Sequence, residues 1–74
     1  MGEKYPVLKP REIINKLESF GFKYESQKGS HVKYVKEGNP SRIVIIPNHD
    51  TVAKGTLKSI LEKANINLEE FLRR

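Results

Sequence analysis

Ile43-Val44-Ile45-Ile46 is an unbroken run of β-branched residues, opened by Arg42 and closed by Pro47. Two heavy atoms on Cβ stiffen such side chains in a helix but suit the pleated surface of a sheet. Before the run, Glu37-Gly38-Asn39-Pro40-Ser41 reads as a loop, and Pro47 ends it because proline cannot donate to a ladder. The run therefore predicts a strand, and its continuous apolar character predicts the best-buried strand of the chain. A lone strand has no partner for its backbone, so at least one neighbour must lie elsewhere in the sequence.

Two candidate neighbours lie just upstream. Residues Phe22 to Gln27 alternate, with Phe22 and Tyr24 on one face and Lys23 and Glu25 on the other. Lys28-Gly29-Ser30 reads as a short turn, and His31 to Lys36 as the return strand of a hairpin. Helices flank this sheet. Residues Lys9 to Gly21 carry Ile13, Ile14, Leu17 and Phe20 on one stripe, with Pro10 suited to the first helical position and Gly21 to a left-handed stop. Leu57, Ile60, Leu61 and Ala64 predict a second amphipathic helix starting between Lys54 and Thr56 and stopping at Asn65. Asn67-Leu68-Glu69-Glu70 has the form of a capping box opening a last turn, with Phe71 and Leu72 to pack down. The loop from Asn48 to Lys54 carries little pattern.

The expected order is α-β-β-β-α with a short final helix. This is an α+β fold: a three-stranded antiparallel sheet with both main helices packed on one face. With 74 residues, the chain is read as a single domain over 1–74, its core about 8–72. Cysteine is absent, which excludes disulfides and thiolate metal sites and suits a reducing compartment. There is no apolar run long enough for a membrane span and no apolar leader, so the reading is cytoplasmic. Met1-Gly2 resembles the start of a myristoylation signal, but Pro6 stands where Ser or Thr is required.

Nothing remains to cover the second face of the sheet. If Val32 and Tyr34 point into the core, His31, Lys33 and Val35 point out, beside Lys23, Glu25 and Gln27 of the first strand. Fourteen Lys and Arg against nine Asp and Glu give a net charge of +5, which suits a polyanion or an acidic protein as well as a merely solvated surface. The aromatics Phe20, Phe22, Tyr24 and Tyr34 fall on core-facing positions and are not read as base-stacking platforms.

With these residues in view, the chain resembles the HicA (YcfA-like) toxins of bacterial and archaeal toxin–antitoxin modules. The matching stretches are Lys9-Pro10-Arg11-Glu12, Leu17 with Gly21-Phe22, and Gln27-Lys28-Gly29-Ser30-His31. They continue with Ile45-Ile46-Pro47-Asn48-His49 and Lys54-Gly55-Thr56-Leu57-Lys58-Ser59-Ile60-Leu61. The resemblance implies a double-stranded-RNA-binding-domain-like fold and a metal-independent, cofactor-free ribonuclease that cleaves mRNA and arrests translation. It also implies a HicB-type antitoxin that masks the active site. The family's catalytic histidine, in its Gly-Ser-His element, maps onto His31.

RNA supplies its own nucleophile, the 2′-OH beside the scissile phosphate. Cleavage then needs a base, an acid for the leaving 5′-oxygen and positive charge near the phosphate. An imidazole, with an unperturbed pKa of about 6.5, can serve as either acid or base. His31 is the candidate, with Lys28 or Lys33 as electrostatic helper; otherwise it is an exposed strand-end histidine. His49 is the candidate for the second proton transfer, or a loop histidine bonding Asp50 or the start of the second helix. These histidines lack a metal-ligand spacing. Ser30 could bond a phosphate oxygen or serve the turn. Gly55-Thr56 offers amides suited to an anion, or Thr56 caps the helix. Lys54 and Lys58 could track an RNA backbone alongside Lys28 and Lys33, or form a solvated helix face. Two rival readings stand beside the nuclease: a non-catalytic RNA-binding module of the same fold, and a protein-interaction module whose basic face meets an acidic partner.

Overall fold

In the computed structural model, which describes residues 5–74, the chain runs α1 (Pro10–Ser19), β1 (Lys23–Lys28), β2 (His31–Lys36), β3 (Arg42–Pro47), α2 (Lys54–Ala64) and α3 (Leu68–Arg73). The Met1-Gly2 pair lies outside the described residues. Local chemistry explains the boundaries. Pro10 occupies the first position of α1, and the Glu12 carboxylate accepts the Lys9 amide at 3.0 Å. Gly21, at φ +99°, then lets the Phe22 amide fold back onto the Leu17 carbonyl at 3.1 Å and the Gly21 amide onto Glu18 at 3.0 Å. That is a Schellman closure, which satisfies carbonyls the helix would otherwise leave open. Asn65 does the same for α2 from φ 58°, with the Ile66 amide on the Leu61 carbonyl at 3.0 Å. At α3 the Asn67 side chain accepts the Glu70 amide at 2.8 Å, as its capping pattern predicts.

The sheet is antiparallel in the order β1-β2-β3, so β2 is central and β3 lies at an edge. The hairpin turn keeps positive φ at Gly29 alone, the pattern of a II′ connection between paired Lys28 and His31. Helices cover one face only. The core joins Ile13 and Leu17 of α1 to Phe22, to Val32 and Tyr34 of β2, to Val44 and Ile46 of β3, and to the inner stripes of α2 and α3. The Tyr34 hydroxyl also reaches back to the Glu18 carboxylate at 3.3 Å, tying the central strand to α1.

Several expectations change. The β-branched run is buried on one face only: Val44 and Ile46 are fully enclosed, whereas Ile43 is 48% and Ile45 42% exposed. Its apolar continuity reads as two buried faces, but only one face has helices to meet it. A bulge between Tyr24 and Ser26 shifts the β1 register, so Gln27 pairs with Val32 on the covered side while Ser26 and Lys28 share the open face with Lys33 and His31. Tyr24 does sit on the helix side, opposite Tyr34, with its ring edge-on at 6.0 Å. It is nevertheless 57% exposed, because the outermost strand runs beyond the helices' cover. Thr56 does not cap α2, whose N-cap is Ala53 with no side-chain bond. Leu72 stays exposed while Phe71 is buried. Finally, Val52 in the patternless loop is a core residue at 1% exposure, bridged to Leu8.

Candidate functional site

The first residue of β2 defines the site. His31 pairs with Lys28 on one side and Pro47 on the other, so its imidazole stands on the open face between the ends of both neighbouring strands. His31 and Lys28 are both exposed. Among the described residues, the imidazoles of His31 and His49 make no hydrogen bond or ion pair, so His49 bonds neither Asp50 nor the start of α2. An unencumbered imidazole beside an ammonium can exchange a proton with a bound group while the neighbour faces its negative charge.

Lys33 lies two residues further along the same face, opposite Ile45 and Ser26, and its ammonium meets the Glu25 carboxylate at 3.7 Å. The bulge that displaces Glu25 from the regular pairing lies directly beside this contact. Lys33 is thus partly neutralised, whereas Lys28 meets no carboxylate among the described residues. Ser30 is half-buried in the turn, and its carbonyl accepts the Asn48 amide at 2.6 Å. This bond draws the loop carrying His49 against the residue that precedes His31. The two histidines are therefore brought to one end of the molecule, each next in sequence to a partner of the same hydrogen bond.

A second tie brings more positive charge to that end. The Val52 amide donates to the Leu8 carbonyl at 2.8 Å, and α1 and α2 each begin two residues beyond this bridge. Exposed Lys54 and Lys58 lie on the first turns of α2, whose first turn holds no acidic residue and whose N-cap has no side-chain bond. Helix N-termini carry a partial positive charge, and here it is not offset locally. Exposed Lys9 and Arg11, at the start of α1, join the same end. Sequence reasoning missed those two, since a bridge between distant loops leaves no local pattern. Among the described residues, no three His, Asp or Glu side chains converge as a metal site, and no helix is long and apolar enough to cross a membrane.

An open three-stranded sheet backed by helices in the order α-β-β-β-α, with a cationic end built from the β1–β2 turn and the start of α2, is the double-stranded-RNA-binding-domain-like class of α+β protein. Within that class, the family model described as "HicA toxin of bacterial toxin-antitoxin" matches residues 10–66 of this 74-residue chain, and the chain belongs to that family. A comparison with curated proteins finds no match. Membership of a toxin–antitoxin family implies an antitoxin as partner.

Proposed function

We propose that this chain is a one-domain, metal-independent endoribonuclease that cleaves mRNA, inhibits translation in the cytoplasm and is neutralised by a HicB-type antitoxin. The observation that carries this reading is the exposed His31–Lys28 pair at the cationic end of the sheet, within a chain of the HicA family. The ribose 2′-oxygen attacks the adjacent phosphorus and the bond to the 5′-oxygen breaks, leaving a 2′,3′-cyclic phosphate and a 5′-hydroxyl. One proton must leave the 2′-OH and one must reach the departing oxygen.

His31 moves one of these protons as general base or acid, a role typically worth about 10²–10⁴-fold. Lys28 faces the phosphate, where charge accumulates in the transition state. Lys33, already engaged by Glu25, contributes less. His49 is the candidate for the other proton, and Ser30 supports the turn that carries His31. Lys54 and Lys58, with the uncapped amides of α2, hold the flanking RNA backbone, as helix N-termini commonly hold phosphates.

Induced expression of the native chain should arrest growth with loss of message, and His31→Ala should abolish both. A non-catalytic RNA-binding module would tolerate that substitution, so equal behaviour of the two proteins would replace the nuclease reading with the binding one.

A further inference from the structure

The open face of the sheet changes character along its length. At one end stand His31 and Lys28 with Pro47; at the other, Val35 pairs with Ile43, and Ile45 lies between them opposite Lys33. We infer that Val35, Ile43 and Ile45 are the anchoring surface for the antitoxin, a protein partner presenting an apolar centre and a carboxylate rim. The grip on the partner is thus separable from the chemistry at His31. The inference rests on the antitoxin part of the proposed function but not on ribonuclease activity.

Strand chemistry alone does not require these side chains. Val44 and Ile46 must be apolar because they enter the core, but Ile43 and Ile45 point away from it, at 48% and 42% exposure. Threonine at either position would keep the β-branched backbone preference without placing an isoleucine in water. Two such residues on one face of an edge strand, with half-buried Val35 beside them, form a continuous aliphatic strip. A hollow of about 530 Å³ meets the strip at Val35 and offers a socket for a projecting side chain; Lys23, Tyr24 and Lys36 border it together with the carboxylates of Glu25 and Glu37.

The surroundings select the occupant. Lys23 pairs with Val35 and Lys33 with Ile45 on this face, and Lys28 stands at its far end, so cations outnumber the one carboxylate beside the strip. Glu25, the acidic residue of β1, is already held by Lys33. RNA gains little from aliphatic side chains, which offer it neither donors nor a stacking surface. A second copy would bring its own charge of +5 against these cations. An apolar centre with a charged rim is instead the anatomy of a protein interface, and the rim here calls for carboxylates. From Val35 to His31 is four residues along one strand, roughly 13 Å, so a partner of ordinary size anchored on the strip also overhangs the imidazole.

The test uses the full chain and, as probe, the protein encoded in the reading frame adjacent to its gene. Calorimetric titration compares the native chain with the Ile43→Thr/Ile45→Thr double variant and with Val35→Thr alone, each checked for fold by circular dichroism. The expected result is a Kd weakened at least about tenfold for the double variant, with growth arrest on induced expression as strong as that of the native chain. Binding within about twofold of native in both variants overturns the inference. So does a double variant that folds and binds weakly but no longer arrests growth, which would place the strip in the toxic machinery. A native chain that self-associates through the strip, with a monomeric variant, gives the surface to a second copy instead. Failure of the adjacent protein to bind even the native chain overturns the antitoxin reading itself, and that result is distinct from a loss seen only in the variants.

Discussion

The Asn48 amide donates to the Ser30 carbonyl at 2.6 Å, joining the loop after β3 to the residue before His31. Because the donor is backbone, the side chain of Asn48 is dispensable and the amide is not. Asn48→Ala should therefore cleave RNA at the native rate. Asn48→Pro, which removes the N–H, should lower the rate by up to about 100-fold, the scale of a catalytic group displaced by an ångström. A quenched fluorescent oligoribonucleotide reads both; equal rates for the two variants would remove this bond from the site's support.

Phe71 and Leu72 are neighbours with opposite environments, at 0% and 44% exposure. Truncating the buried ring leaves a cavity beneath α3, so Phe71→Ala should cost about 3–5 kcal/mol. Leu72→Ala should change stability by no more than about 0.5 kcal/mol. Urea denaturation followed by circular dichroism separates them.

Tyr34 predicts an alkaline limit. Burial first, and then the charge and hydrogen bond of Glu18, hold its hydroxyl above the ordinary 10.0. The folded state therefore favours the protonated phenol. The resulting stability is whole below pH 10 and is lost as pH rises through the folded-state value, because the unfolded chain ionises first. Tyr34→Phe should flatten the fall in stability above about pH 10. An unchanged slope would mean the hydroxyl titrates alike in both states.

Asn67 was legible as a cap from its sequence spacing, and its side chain does accept the Glu70 amide. Asn67→Ala should cost about 1 kcal/mol by chemical denaturation, while Asn67→Ser should retain most of that.

Caps, turns and helical stripes were readable because each is decided within a few residues: Gly21 and Asn65 stop their helices where the pattern says they should. What escaped was decided at a distance. Burial of β3 on one face depended on which elements would cover it, and the four β-branched residues look alike until the edge position is known. The bulge near Glu25 exchanged Gln27 for Ser26 and Lys28 on the open face, and no turn or breaker residue announces it. Val52 entered the core through a single bridge to Leu8, and that same bridge brought Lys9 and Arg11 to the basic end. His31 was legible as an outward-facing residue from alternation alone. Its pairing with Lys28, and the engagement of Lys33 by Glu25, required the fold.

The most direct test is cleavage of a 5′-labelled RNA by the purified chain in buffer containing a metal chelator, run beside His31→Ala and Lys28→Ala. The native chain should cut to products ending in a 2′,3′-cyclic phosphate, and His31→Ala should be slower by about 10²–10⁴-fold with its circular dichroism unchanged. Lys28→Ala should cleave more slowly than native but faster than His31→Ala. A folded His31→Ala protein that cuts RNA at the native rate would contradict the account.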